Sequence, residues 1–304
     1  MRPFVPMLAQ HLGVKDQELL EKDVRLHALL ARLVRDPTFG PHLAFKGGTC
    51  LIKCYLDYPR FSTDLDFTWI AEPGLRSSPG GTKAFRRGIR PTQRTLETWF
   101  RDWAKAQGYR AENPEFFRYG RSNRMMTVNL RYPSLGTASG RVKVQLNFEE
   151  PLLYPTVSTK ARSLLRGTVP PAFHLLEGDP APEYSTPILV IAYDPREILV
   201  EKCRAILTRT AAKSRDLVDL FLLERDRGLR VERHGAQIVE KTRRAVQGSS
   251  RYRGQAEQFD EREALLLEED IRPLLLKPID MEAFQKHRER VVLFVKGLLP
   301  QILA

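Results

Sequence analysis

Two aspartates, Asp64 and Asp66, alternate with the apolar residues Leu65 and Phe67 in the period of a β-strand. Alternation places both carboxylates on one face of the strand, about 7 Å apart. Hard divalent cations such as Mg²⁺ prefer oxygen ligands, and two carboxylates on one face can hold such an ion. Asp64 and Asp66, called the aspartate pair below, are therefore the candidate metal ligands and candidate catalytic residues.

A double glycine stands upstream of the aspartate pair. Gly47 and Gly48 follow an apolar run that ends at Phe45, and Thr49 begins a segment with helical character. Glycine lets the backbone approach a triphosphate closely, and the N–H groups at a helix start carry partial positive charge. Strand, glycine turn, helix and strand in this order resemble the polymerase-β nucleotidyltransferase motif, with Gly47, Gly48 and Thr49 as nucleotide-binding residues.

The chemistry that such a motif serves is in-line attack of a hydroxyl on an α-phosphate, with pyrophosphate leaving. Two Mg²⁺ ions can clamp the entering and leaving oxygens. The superfamily usually takes a third carboxylate from a neighbouring strand, for which the candidate is the segment 141–148. Its polar face offers Gln145 and Asn147, and Glu149 near the strand end is a possible third ligand. If no acid takes the place of the third carboxylate, a second metal ion would be held weakly, or mainly by the phosphates of the nucleotide.

The composition favours a globular protein with an anionic partner. The net charge is +12 over 304 residues, and such a positive field concentrates polyanions at the surface. Nucleic acid is the leading partner, with a generic basic surface as the alternative. No apolar run is long enough to span a membrane and no secretory signal is recognisable, so we expect a cytoplasmic protein with reduced cysteines and no membrane contact.

Basic residues gather in three blocks that would suit a large polyanion better than a small molecule. Phosphate contacts of this kind give salt-dependent binding with little sequence preference. The blocks contain Arg76, Lys83, Arg86, Arg87, Arg90 and Arg94; Arg118, Arg121, Arg124 and Arg131; and Lys241, Arg243, Arg244, Arg251 and Arg253.

The elements that must position the aspartate pair follow from hydrophobic periodicity. A packing helix over 16–35 comes first, and the glycines and prolines of 73–91 predict a loop or insertion. A helix is expected over 92–106. Strands are expected over 125–132, 141–148 and 188–192.

The sequence pattern predicts that the second half of the chain is mostly helical. Asp194, Pro195 and Glu197 mark a helix start, and helices are predicted over 195–209, 214–224, 233–247, 257–269 and 281–298. The fold class is α/β (α+β): a polymerase-β-like nucleotidyltransferase lobe with a mixed sheet over 1–155, followed by a mostly α-helical lobe over 156–304 that completes the active site. No heptad seam is evident, so we expect a monomer.

Two groups of residues make the resemblance specific. Phe45-Lys46-Gly47-Gly48-Thr49, Lys53 and Arg60-Phe61-Ser62-Thr63-Asp64-Leu65-Asp66-Phe67 resemble the AbiEii/AbiGii nucleotidyltransferase toxin family of type IV toxin–antitoxin systems. The helical block 197–202 and the element Arg215-Asp216-Leu217-Val218-Asp219-Leu220 resemble later motifs of that family, and Glu21-Lys22-Asp23 also fits.

The resemblance implies roles for these residues. Lys53 and Lys202 would contact nucleotide phosphates, and Asp64 and Asp66 would bind Mg²⁺. Asp216, as a catalytic residue, or Asp219, as a nucleotide-binding residue, would complete the active site from the helical lobe. Ser62 is grouped with the nucleotide-binding residues. On the residues alone, Asp216 and Asp219 could equally cap their helix or pair with Arg215 and Lys213. Lys46 and Arg60 could be phosphate contacts or solvent-exposed residues beside the motif.

The resulting hypothesis is a Mg²⁺-dependent toxin that transfers NMP from NTP to the 3′ end of RNA. The main expected acceptor is the acceptor end of tRNA, whose modification would block translation. A cognate antitoxin is the expected protein partner. Three alternatives stay open: a nucleotidyltransferase acting on a small antibiotic-like molecule, a non-catalytic nucleotide- or RNA-binding protein, and protein AMPylation. The missing acid at Gln145 and Asn147 motivates the non-catalytic alternative.

Overall fold

The computed structural model describes residues 3–70, 81–111, 115–120, 122–136, 139–167, 169–175, 180–210, 213–261, 263, 271–272 and 275–304. The chain divides into two compact units. The N-terminal unit contains Met1–Cys54, Phe61–Pro151 and Thr156–Ala192, and the C-terminal unit contains Tyr55–Arg60, Leu152–Pro155 and Tyr193–Ala304.

The N-terminal unit is built on one mixed sheet. In its described part the strands are β1 (Leu43–Lys46), β2 (Asp64–Trp69), β3 (Phe117–Gly120), β4 (Met125–Tyr132), β5 (Gly140–Asn147), β6 (Val157–Ala161) and β7 (Ile188–Ala192). Their order across the sheet is β3-β4-β5-β2-β1-β7-β6. The pairs β2–β5 and β1–β7 are parallel, whereas the other neighbouring pairs are antiparallel. The mixed sheet expected from the sequence is therefore confirmed.

The helices in the described part of this unit are α1 (Phe4–Leu12), α2 (Gln17–Arg35), α3 (Gly47–Cys50, continuing as a π-helical turn over Leu51–Tyr55), α4 (Gly81–Ala106) and α5 (Ala181–Ser185), with 3-10 turns at Gly40–His42 and Pro171–Leu175. Asp16 caps α2 by accepting a hydrogen bond from the Leu19 N–H, which lies 2.9 Å away. One sheet face is apolar and buried, as shown by Val142, Val144 and Leu146 on β5. The alternate residues of β5 form the opposite, polar face.

The predicted loop over 73–91 is wrong for its last part, since α4 begins at Gly81. Residues 71–80 lie outside the described residues. The apolar side chains Phe85, Ile89, Leu96 and Phe100 recur at helical spacing and are all buried, so they bind this segment to the unit. Pro91 lies on the exposed side of the helix and removes only one backbone hydrogen bond. Burial of the apolar face outweighs that loss.

The C-terminal unit is mostly helical, as predicted. It contains α6 (Pro195–Thr208), α7 (Ser214–Arg227), α8 (Gly235–Gln247), α9 (Ser250–Glu257), α10 (Met281–Gly297) and α11 (Leu299–Leu303), with a 3-10 turn at Val231–His234. Asp194 caps α6 by accepting from the Arg196 N–H at 2.8 Å. The helix α9 was not predicted; it starts because the Ser249 hydroxyl accepts from the Tyr252 N–H. Much of the predicted helix 257–269 lies outside the described residues.

The boundary between the two units is not a single point at residue 155, because each unit contains more than one stretch of the chain. The segment Thr156–Ala192 belongs to the N-terminal unit because β6 pairs antiparallel with β7, and β7 in turn pairs with β1 through Phe45 and Ala192. The short segments Tyr55–Arg60 and Leu152–Pro155 belong instead to the helical unit. Within the described residues, no helix combines the length and the apolar character needed to cross a membrane.

Candidate active site

The aspartate pair occupies the first half of β2, with both side chains half-buried while Leu65 and Phe67 are fully buried. Strand β1 runs antiparallel beside it and places Lys46 opposite Asp66. The chain then turns at Gly47, whose φ is 76°, a conformation that favours glycine. A Cβ at this position would lie only 2.7 Å from Asp66 Oδ2. The glycine therefore serves two needs, the left-handed turn and the close approach of the backbone to the Asp66 carboxylate.

The hydroxyl of Thr49 ties the glycine turn to the strand that carries the aspartates. Thr49 is buried, its Oγ1 donates to the backbone carbonyl of Asp64, and it lies 2.7 Å from Ser62 Oγ. Both hydroxyls therefore make internal contacts at the start of β2. Thr49 and Ser62 fix the position of the aspartate pair relative to helix α3.

Strand β5 runs parallel to β2 on the other side and determines what faces the aspartates. Its register places Lys143 opposite Asp64 and Gln145 opposite Asp66. The Lys143 Nζ lies 2.9 Å from Asp64 Oδ2, and these two side chains are 26% and 25% exposed. An amine and an amide therefore occupy the positions from which a third carboxylate would reach the pair.

Glu149, the possible third ligand, lies beyond the end of β5. Its carboxylate forms an ion pair with Arg124, and its backbone N–H donates to Asn147 Oδ1 at 3.0 Å. The guanidinium of Arg124 also lies over the ring of Phe85. Glu149 is therefore held by a cation of its own, and its role as a metal ligand stays a prediction without geometric support.

The donor set at the aspartate pair fits one Mg²⁺ ion better than two. Mg²⁺ is commonly bound by one or two carboxylates together with substrate phosphates and water. Asp64 and Asp66 meet that requirement. Among the described residues there is no group of three or more His, Cys, Asp or Glu side chains placed to hold a metal ion.

Lys53, on the π-helical turn after α3, is buried inside the N-terminal unit. Its Nζ lies 2.9 Å from Asp23 Oδ1 on α2, and the hydroxyl of Tyr184 donates to Asp23 Oδ2 at 2.7 Å. Burial raises the pKa of Tyr184, and the Asp23 charge raises it further. These contacts attach the glycine turn to α2 and α5. The predicted phosphate contact of Lys53 remains a prediction.

The C-terminal unit contains a second group of charges, called here the buried charge cluster: Arg60, Lys202, Asp216 and Asp219. Arg60 donates from Nε and Nη2 to the two oxygens of Asp219, at 2.9 and 2.6 Å. Lys202 Nζ lies 2.5 Å from Asp219 Oδ2 and 2.9 Å from Asp216 Oδ1. All four side chains are less than 10% exposed.

The electrostatics keep both carboxylates of the buried charge cluster ionised. Burial raises the pKa of Asp216, but the charges of Lys202 and Arg209 more than compensate and lower it to about 2. Burial likewise opposes ionisation of Asp219, whereas Arg60 and Lys202 lower its pKa below the usual value. Of the alternatives left open by the sequence, ion pairing is the one observed, although the main partners are Lys202 and Arg60.

Glu197 forms another buried contact of the same unit. Its Oε2 accepts hydrogen bonds from the backbone N–H groups of Leu153 and Tyr154, both at 2.8 Å, and Lys241 Nζ donates to its Oε1 at 2.6 Å. The carboxylate therefore anchors the segment 152–155 to α6. Lys241, assigned above to a basic surface block, is buried and unsuited to that purpose.

Comparison with known proteins identifies the family. The family model described as nucleotidyl transferase AbiEii toxin, type IV TA system, matches residues 28–295. The chain belongs to the AbiEii nucleotidyltransferase toxin family. The motifs between Phe45 and Leu220 lie within the matched range, whereas Glu21-Lys22-Asp23 lies before it.

The AbiEii assignment is accompanied by a similar solved structure. The chain resembles MenT4, a nucleotidyltransferase toxin from Mycobacterium tuberculosis H37Rv, with a TM-score of 0.54, 19% identity, and coverage of 98% of this chain and 93% of that chain. At this identity the likeness shows the fold. No curated protein matches the sequence.

The structure brings the predicted AbiEii site residues together in two groups. Gly47, Gly48, Thr49, Ser62, Asp64 and Asp66 surround the junction of β1, α3 and β2 in the N-terminal unit. Lys202, Asp216 and Asp219 meet in the C-terminal unit. Arg60, read from the sequence as a phosphate contact or a solvated flank, is a buried partner of Asp219.

Sequence reasoning missed Lys143. The alternation of β5 showed that its side chain shares a face with Gln145, but the strand register that sets it against Asp64 was not predicted. The partnership of Asp23 with Lys53 was missed as well. Its one signal was the unusual position of a lysine between apolar helix residues.

Proposed function

We propose that this AbiEii nucleotidyltransferase toxin transfers NMP from an NTP to the 3′ hydroxyl of RNA, with the tRNA acceptor end as substrate, and thereby blocks translation. The observation that carries the proposal is the half-buried aspartate pair placed against the glycine turn at the start of α3. Carboxylates for a metal and backbone N–H groups for phosphates are the two elements that nucleotidyl transfer requires.

Each residue of the site has a part in this proposal. Asp64 and Asp66 would hold Mg²⁺, which when bound neutralises phosphate charge and lowers the pKa of the attacking hydroxyl. The N–H groups of Gly47 and Gly48 would bind phosphate oxygens. Thr49 keeps the turn and the strand in register through its bond to the Asp64 carbonyl.

For the C-terminal unit we propose a supporting role. Lys202 would contribute positive charge for phosphate binding, and Asp216 and Asp219 would act by holding its ammonium group in position. The contacts support this assignment, because both carboxylates are paired with cations. Each of them is buried and pairs with two cations, whereas Asp64 is half-buried and pairs with Lys143, so we propose a positioning role for Asp216 and Asp219.

An RNA acceptor is supported by the exposed positive charge of α4. Lys83, Arg86, Arg87 and Arg94 are exposed along this helix, where they can meet phosphates of a polyanion. The two other basic blocks contribute less, because many of their cations are engaged locally: Arg118 and Arg131 with Glu115, Arg124 with Glu149, Lys241 with Glu197, Arg244 with Glu240 and Arg253 with Glu257.

The physiological setting is part of the same proposal. A type IV toxin implies a cognate antitoxin, and we expect the protein to act in the cytoplasm, where NTPs and tRNA are present. We propose that it does so as a monomer.

The test is incubation of the purified protein with each labelled NTP, MgCl₂ and tRNA, followed by mapping of the labelled end. We expect label at the 3′ terminus, a yield that falls with added salt, and at least a 100-fold loss in Asp66→Ala. Asp102→Ala, an exposed aspartate of α4, is the matched control and should keep full activity. Unchanged activity in Asp66→Ala would refute the site.

Two other outcomes would decide against the RNA substrate. Label on a small hydroxylated molecule, with no labelled tRNA and little salt dependence, would indicate the antibiotic-type reaction. Absence of pyrophosphate release with every NTP and a broad panel of acceptors would indicate a non-catalytic binding protein.

A further inference from the structure

The aspartate pair has a lysine on each neighbouring strand. On β1 the residue opposite Asp66 is Lys46, and on β5 the residue opposite Asp64 is Lys143. Adjacent strands lie about 4.8 Å apart, so these positions are the ones from which a side chain can reach the pair. The other β5 residue directly opposite the aspartate pair is Gln145, which faces Asp66 and is neutral.

A second metal ion would need ligands that these positions do not supply. In two-metal sites the ions lie about 3.5–4 Å apart, so they need carboxylate oxygens that reach both of them. Asp64 Oδ2 lies 2.9 Å from the Lys143 ammonium group, which leaves Oδ1 as the oxygen more available to a metal. The nearby acids after β5 are also engaged: Glu149 pairs with Arg124, and Glu150 accepts from the Asn147 amide at 2.8 Å.

The Lys143 ammonium group also disfavours a second cation electrostatically. A like charge within a few ångströms repels a divalent ion strongly, because both lie in a half-buried site where screening is weaker than in bulk water. At the same place the ammonium group can itself offset negative charge on a bound triphosphate. Its position on β5 is fixed by the strand register and by the ion pair with Asp64.

We propose that this site binds a single divalent cation through Asp64 and Asp66, and that Lys143 is a further catalytic residue that supplies the second positive charge to the nucleotide phosphates. The inference rests on the proposed nucleotidyltransferase function and specifies how its site is charged. It assigns to one lysine the electrostatic part that a second metal plays in a two-metal site.

Metal stoichiometry tests the proposal directly. Mn²⁺ is titrated into the protein with a non-hydrolysable α,β-methylene NTP analogue, and bound Mn²⁺ is followed by electron paramagnetic resonance. We expect one Mn²⁺ per protein with the spectrum of an isolated ion. Two bound ions with the spectrum of a coupled pair would overturn the proposal.

Variants at position 143 provide the second test. Lys143→Glu places a carboxylate opposite Asp64, so this variant should bind a second Mn²⁺; if it folds and still binds one, position 143 does not set the metal count and the proposal fails. Lys143→Ala should retain one Mn²⁺ and lose about 100-fold in transfer rate. Wild-type activity in Lys143→Ala would equally overturn the proposal. Lys160→Ala, an exposed lysine on β6, is the control and should match the wild type.

Failure of the broader function would look different. A protein that binds neither Mn²⁺ nor the analogue, and releases no pyrophosphate from any NTP, would refute the nucleotidyltransferase site itself. A coupled Mn²⁺ pair in a protein that binds the analogue would refute the single cation and the role of Lys143, but not the nucleotidyltransferase site. If Lys143→Glu does not fold, the wild-type spectrum and the rate of Lys143→Ala still decide.

Discussion

Replacing Asp219 by alanine should destabilise the protein more than any exposed acidic substitution. The side chain is fully buried and accepts two hydrogen bonds from Arg60 while contacting Lys202. Removing it takes away the carboxylate that accepts both of these hydrogen bonds from the buried Arg60 guanidinium. Removing one member of a buried ion pair costs about 3–5 kcal/mol. Lys202 retains Asp216 at 2.9 Å, so we expect the lower half of that range.

Urea unfolding followed by circular dichroism would measure this difference, with the free energy obtained by linear extrapolation. The matched control is Asp226→Ala on the same helix α7. Asp226 pairs with Arg225 at the surface, where both side chains are more than 30% exposed, and such pairs contribute about 0–1 kcal/mol.

A double variant separates the ion pair from general damage to the helix. In Arg60→Met/Asp219→Leu both charges are gone and apolar groups fill the space, so much of the lost stability should return. If Asp219→Ala unfolds within about 1 kcal/mol of the wild type, the buried charge cluster does not stabilise the C-terminal unit and the reasoning is refuted.

Two further predictions concern the glycine turn and acid stability. Gly47→Ala should lose more transfer activity than Gly228→Ala. Both glycines have positive φ, which costs about 1–2 kcal/mol for alanine. Only at Gly47 would the new Cβ meet Asp66, so equal activity in the two variants would contradict this prediction. The lowered pKa of Asp216, about 2 against 3.8, contributes about 2 kcal/mol that is present above pH 4 and lost as the pH falls towards 2. Acid unfolding should therefore be less steep in Asp216→Asn, and an identical pH profile would exclude this contribution.

The main elements were predictable because their signals are local. The strand at Asp64 and the strand over 125–132 follow from alternation, and the start of α6 follows from Asp194 and Pro195. The mistaken loop before residue 91 shows the limit of such signals. Gly81 and Pro91 are read locally as helix breakers, whereas the buried spacing of Phe85 and Ile89 decides the outcome.

The sequence predicted which residues form the candidate site, but it predicted only some of the contacts between them. Gly47, Thr49 and the aspartate pair are close in sequence, so their order already indicates the motif. Lys53 was expected at phosphates and is found buried against Asp23, thirty residues earlier on another helix. A buried lysine requires an anion near it, but the sequence does not say which of many acids supplies that charge.

The sequence by itself therefore determined the reaction motif, the family and most helices and strands, because these depend on residue types at short spacing. Tertiary structure decided the partner of each charge. Lys143 faces Asp64 because of the parallel register of β5 on β2, and Arg60 meets Asp219 across 159 residues because the fold buries both. Such pairings depend on packing and strand register, which no local pattern specifies, and the proposed role of Lys143 beside the aspartate pair rests on one of them.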